Sequence, residues 1–250
     1  MSRPVSRASR RRSLLGTTAT LAAVLALATA CGEDGDGEDG GDEPTAKAPV
    51  ALSAEQVETA TLSIDNLGAG WTQAPPDPED DEPGPGCLAD IDAATADLEE
   101  SAEYETEYSY GELGLPSVGA GVTAYPDEAA IAAGFDRVEE EIEACDSVSW
   151  SEDGFTYSIV LTPDTDLPID GVDDQNGFTA SGTAVLPDGE QSPIHLHVTF
   201  LRIGPNVASV ATTAVESTAG THAEYAKIAA GRLVAVTAGD EPPATTAPAV

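Results

Sequence analysis

His195 and His197 stand two residues apart in the run Ile194-His195-Leu196-His197-Val198, an alternation that in a strand points both imidazoles from one face. Two such nitrogens are half of a zinc-type site, which His222 or a carboxylate would have to complete. The same spacing describes a solvated strand face, and no metal is expected. Tyr104, Tyr108 and Tyr110 also share one face of residues 103–110, alternating with Glu103, Glu105 and Glu107. That face is either an aromatic wall for a ligand or the ordinary packing of an edge strand. The acidic, Pro- and Gly-broken stretch 164–176, with Asp164, Asp166 and Asp173, is a candidate recognition loop. No catalytic residue emerges. The chain has no G-x-S-x-G elbow, P-loop, H-E-x-x-H or dinucleotide fingerprint, and no cofactor is expected. With 45 Asp and Glu residues, nearly any carboxylate spacing arises by chance.

Cys31 carries a different chemistry. Arg3, Arg7, Arg10, Arg11 and Arg12 precede an apolar run over residues 14–30, and Leu27-Ala28-Thr29-Ala30 leads into Cys31. Basic start, short apolar middle and small residues at the cut describe a secretory signal over residues 1–30. A spanning helix needs about 20 strongly apolar residues, and this run is shorter and diluted by Thr17, Thr18, Thr20 and Thr29. The cysteine after the small residues resembles the lipobox of bacterial lipoproteins, with Ala28 where such signals favour leucine. The resemblance implies that the Cys31 thiol takes a lipid and anchors the mature chain on the outer face of the cytoplasmic membrane. Arg11-Arg12-Ser13-Leu14-Leu15 also resembles a twin-arginine export motif. Once Cys31 is assigned to lipid, Cys87 and Cys145 remain as one pair, which in an exported protein reads as a disulfide.

Charge narrows the partners. The chain has 10 Lys and Arg against 45 Asp and Glu, net −35. Five of the basic residues leave with the signal, so the mature chain stands at five basic against 45 acidic residues, net −40. Nucleic acid is excluded, because binding it means neutralising phosphates with Lys and Arg. Flat adsorption to anionic lipid is disfavoured for the same reason. Solubility and mutual repulsion account for most of this charge, and a monomer is expected.

Residues 31–50 are mostly Gly, Asp and Glu with a little Pro and Ala and no aromatic, a solvated tether. Its Asp-Gly repeats miss the order of an EF-hand loop. From about residue 237 the Pro-, Ala- and Thr-rich end reads as a disordered tail. All aromatic residues lie between Trp71 and Tyr225, so residues 51–236 form a single domain with its own core.

Within that domain, Ser53, Gln56 and a Leu52/Val57 staple open a helix expected to run to Asn66. A second is expected over residues 88–100. The clearest covers residues 127–145, where Ile131, Phe135, Val138, Ile142 and Cys145 make one helical stripe and aim the cysteine into the core towards Cys87. A last helix is expected from Thr221, with Glu224 completing a capping box. Residues 117–125, 155–161, 178–186, 192–203 and 207–214 alternate as strands, with turns at Pro187-Asp188-Gly189 and Gly204-Pro205-Asn206 making the last three an antiparallel meander. Strands and helices do not alternate regularly, so an α+β fold is expected.

Several of these segments carry a resemblance. Leu67-Gly68-Ala69-Gly70-Trp71 is similar to the Leu-Pro-Ala-Gly-Trp turn of many actinobacterial lipoproteins. Cys87-Leu88 at a helix start, Val122-Thr123-Ala124-Tyr125-Pro126-Asp127-Glu128-Ala129-Ala130 and Ala144-Cys145 resemble the PknH-like family of extracellular sensor domains and its free-standing lipoprotein members. The resemblance implies a twisted antiparallel β-sheet with flanking helices and a cleft for an unidentified small-molecule or envelope ligand. Only one of that domain's two disulfides can form here. Three function classes follow: a non-catalytic sensor-like ligand-binding module, a carrier of lipids or other apolar molecules in the cell envelope, and an anchored hydrolase. The first fits best. A large internal apolar pocket would favour the carrier, and a shallow polar cleft the sensor-like module.

Overall fold

Side chains alternate across a strand, so a long strand whose two parities are both apolar must be covered on both faces. The thirteen-residue run Gln191–Ile203 is such a strand: Leu201 and Ile203 enter one core while Val198 enters another. It is the seventh of eight strands in one antiparallel sheet, seen in a computed structural model that describes residues 48–74, 84–112, 114–152, 154–164 and 168–248. Cys31, the signal, the tether up to residue 47 and Asp166 lie outside the described residues.

The strands are β1 (Trp71–Ala74), β2 (Ala102–Tyr110), β3 (Ser117–Ala124), β4 (Ser147–Glu152), β5 (Phe155–Pro163), β6 (Asp174–Val185), β7 (Gln191–Ile203) and β8 (Asn206–Ala214), in the spatial order β1-β2-β3-β8-β7-β6-β5-β4. The helices are α1 (Ala54–Ala60), α2 (Ile64–Leu67), α3 (Cys87–Ala93), α4 (Glu128–Ala144) and α5 (Ala219–Ala238). On the first face, α1, α2 and α5 cover β1, β2, β3 and β8, packing Val57, Tyr225 and Leu233 on Val118, Val122 and Val210. On the second face, α3 and α4 cover the other half, packing Ile91, Val138 and Ile142 on Val148, Ile159 and Phe178. Among the described residues, each half of the sheet is thus roofed by helices on one side only. The α+β class and the β6-β7-β8 meander are as the alternation indicates. None of the described helices is long and apolar enough to cross a membrane.

Helix α4 follows its sequence closely. Asp127 caps it by accepting from the Ala129 and Ala130 N–H groups (3.0 and 3.1 Å), and the stripe from Ile131 to Cys145 is buried. The first helix does not run through to Asn66. Thr61 turns extended and its hydroxyl donates to the Val57 carbonyl (2.8 Å), and Ser63 starts α2 with its N–H on Asn66 Oδ1 (2.9 Å). The break frees the Leu62 carbonyl to accept from the buried Tyr108 hydroxyl (2.7 Å), a bond that no intact helix could offer. Helix α3 stops at Ala93, and α5 begins at Ala219 behind Thr218, so Thr221 lies inside it. Strands β1 and β4, both edges, are additional to the strands read from alternation.

The chain end does not fray where expected. Gly239, at φ 85°, closes α5, and the following residues return across α2. Asn66 Nδ2 donates to the Thr245 carbonyl (2.7 Å), the Ala247 N–H to the Asn66 carbonyl (2.8 Å), and the Thr246 hydroxyl to the Asp65 carbonyl (3.0 Å). The last carbonyls of a short helix need partners, and the tail supplies them. Ala247 is buried as a result. Cys87, the first residue of α3, is disulfide-bonded to Cys145, just past the end of α4, with Cα atoms 5.5 Å apart. The bond holds α3 and α4 together over β4.

Candidate ligand-binding site

The three tyrosines of β2 do share a face, but it is the face under α1 and α5. Tyr108 is 1% exposed, Tyr110 meets the edge of Trp71 at 5.4 Å, and Tyr104 packs half-buried against the same core. Strand β2 is an edge only in part, because β1 pairs with it from Glu107 to Tyr110. These tyrosines are core side chains rather than a ligand wall. The reason is tertiary: helix coverage decides which parity of β2 is dry.

The opposite parity, Glu103 and Glu105, looks onto an open cleft of about 360 Å³ between the second face and helices α3 and α4. Phe135 and Ile131 from α4 and Phe200 from β7 supply apolar wall, while Asp92 and Glu100 add carboxylates from the α3 side. On β3 the strand contributes almost nothing at this level: a Cβ on Gly121 would meet Ser209 Oγ at 3.1 Å and Glu105 Cγ at 3.2 Å. A glycine here keeps the floor of the cleft low. Burial and then the neighbouring Glu103 charge hold the Glu100 carboxyl above its usual range. Burial, followed by the Glu100 charge, pushes the Tyr125 hydroxyl at the cleft wall up to about 12. The cleft can therefore receive an apolar ring or chain against Phe200 and a cationic or hydroxyl-bearing edge at the carboxylates.

The acidic stretch separates into unlike parts. Asp164 follows β5, its N–H donating to the Gly177 carbonyl (2.9 Å), and lines a shallow hollow of about 220 Å³ with Glu139, Glu143 and Asn176. Asp173 is engaged elsewhere. Its Oδ2 accepts from the Gly204 N–H (2.6 Å) in the β7–β8 turn and lies 4.0 Å from Arg202 Nη1. Asp173 thus fixes a turn and does not line the Asp164 hollow.

His195 and His197 do project from one face, the first, as their spacing indicates. His197 is buried and stacks on His222 with ring centroids 5.4 Å apart. Both His222 nitrogens are engaged: Nε2 with the Thr199 hydroxyl and Nδ1 with the Thr212 hydroxyl, each at 2.9 Å. Burial, then the His197 ring, pushes the His222 pKa down to about 3. Burial also lowers that of His197, against a smaller opposing pull from Asp164. His222 has no nitrogen free to complete a metal site. Among the described residues no group of three His, Cys, Asp or Glu is placed to hold a metal.

The cleft residues were missed in the sequence because they come from α3, α4, β2 and β7, far apart in the chain. The one local signal was the Glu103-Glu105-Glu107 parity beside the tyrosines.

No protein-family model matches this chain, and no curated protein matches it. Among solved structures it is similar to the extracellular domain of PknH from Mycobacterium tuberculosis, with a TM-score of 0.54 and 13% identity, covering 76% of this chain and 98% of that one. At that identity the similarity shows a shared fold.

Proposed function

We propose that this chain is a non-catalytic ligand-binding module displayed outside the cytoplasmic membrane and held there by a lipid on Cys31. The observation that carries the reading is the cleft between α3, α4 and the second face of the sheet: open, apolar on one wall and carboxylate-lined on the other. Its openness favours a sensor-like module over a carrier, which needs an enclosed apolar cavity. The fold shared with the extracellular domain of PknH supports the same reading.

Protein purified from its own membranes should retain a small molecule seen by native mass spectrometry. Ser209→Trp, which fills the cleft from the sheet, should abolish that mass at unchanged melting temperature. A retained mass indifferent to Ser209→Trp would move the ligand elsewhere. Turnover of envelope extracts, lost in a single folded point variant, would show an enzyme instead. Anchoring has its own test. Cys31→Ala should shift the chain from the detergent phase to the aqueous phase on detergent partitioning, and unchanged partitioning would refute lipidation.

A further inference from the structure

Strand β5 places Phe155, Tyr157, Ile159 and Leu161 on the second face, the alternation of a strand built to be roofed. Only its C-terminal half is roofed. Ile159 and Leu161 are 3% and 5% exposed among α4 residues Val138 and Ile142, whereas Phe155 and Tyr157 remain half-exposed. These two continue a stack of nearly parallel rings, Trp150 on Tyr157 at 4.5 Å and Phe155 on Tyr157 at 6.1 Å. Beside the stack an open groove of about 360 Å³ crosses the ends of β5, β6, β7 and β8, with Ile194 and Leu186 in its wall. Leu115 and Val215, 40% and 43% exposed, stand at its lip. An apolar pattern that runs on beyond its helix marks a surface that something else covers.

Charge identifies the occupant. The chain carries 45 acidic residues, and the other hollows described above are lined with carboxylates, yet among the described residues no Asp, Glu, Lys, Arg or His lines this groove. A cation finds no counter-charge in it. An anion meets the field of a chain at net −35. The polar side chains present, Ser192 and Thr213, are neutral hydroxyls that both donate and accept. The volume is at the lower end of small-molecule sites, about 300–1,000 Å³, which suits one chain and not two. The groove also lies away from the point where the chain enters the domain. Asn206 holds Val50 and Leu52 where the chain enters the domain, and the groove begins near Thr213, at the far end of β8.

We propose that this groove binds the alkyl chain of an uncharged single-chain lipid, a monoacylglycerol in type, as a second site separate from the cleft. The test uses the mature chain carrying Cys31→Ala, which needs no detergent, titrated calorimetrically below micelle formation with 1-monolauroylglycerol, laurate and dodecylammonium. Saturable binding of the monoacylglycerol is expected, at least tenfold tighter than either charged chain. Thr213→Trp, which fills the groove, and Val215→Glu, at an exposed position that leaves the fold untouched, should each weaken it at least tenfold. Ser209→Trp in the cleft should leave it unchanged. The proposal is overturned by equal binding of laurate or dodecylammonium, by parent-like binding in folded Val215→Glu, by loss of binding in Ser209→Trp, or by no saturable binding.

Discussion

Replacing Cys87 and Cys145 together by alanine is expected to lower the unfolding free energy by about 4 kcal/mol, the loop-closure entropy of a 58-residue crosslink. Against a total stability of about 5–15 kcal/mol for a domain, that is a large share. The melting temperature should fall by roughly 10 °C on the scaling for domains of this size. The loss should not be spread evenly. Helix α3 has seven residues and buries only Ile91 within its own span, so the bond to the end of α4 does much to hold it over β4. Hydrogen exchange should therefore rise first in α3 and β4, while α5 and β8 stay protected. The parent should show no thiol at Cys87 or Cys145 before reduction and should melt like the double variant after it. Identical melting with and without reductant, with reduction confirmed by labelling, would sink this account.

Acidification should cost almost as much. His222 is buried between β7 and β8 with its pKa pushed down to about 3, whereas an unfolded histidine titrates near 6.5. Between those values the unfolded chain binds the proton and the folded chain does not. Stability is therefore complete above about pH 6.5 and falls by about 1.4 kcal/mol for each unit below it, towards pH 3. By pH 4.5 the loss from this one ring is about 3 kcal/mol. His197 acts in the same direction, since burial lowers its pKa too. Glu100 acts in the opposite one, its carboxyl being held above the usual range. His222→Gln removes the titrating ring and leaves an amide for Thr199 or Thr212. Its melting temperature should depend more weakly on pH between 7 and 4.5 than the parent's. A parent that melts alike at both pH values, or a His222→Gln variant with the parent's slope, would show that the buried ring is not the titrating group.

What the sequence determines by itself is local or parity-based. Asp127 and the stripe from Ile131 to Cys145 define α4 because a cap and a 3.6-residue period need no distant partner. The alternation of residues 117–124, 155–161, 178–185, 192–203 and 207–214 defines strands, and two short turns make the last three a meander, for the same reason. The cysteine count, read with the expected export signal, leaves Cys87 and Cys145 as a pair, and the structure joins them. Tertiary structure alone decides which parity of a strand is dry. Tyr104, Tyr108 and Tyr110 lie in the core and Glu103 and Glu105 in the cleft because α1 and α5 settle on one face of β2 and, among the described residues, no helix packs on the other at that point. The same holds where the local signal is overridden: α1 breaks at Thr61 and leaves the Leu62 carbonyl to Tyr108, and a tail with no core-building pattern folds back because α2 has carbonyls to satisfy. A strand's own residues specify that it has two faces. Which face meets a helix, a ligand or water depends on segments tens of residues away, and that choice is made only when the sheet closes around its helices.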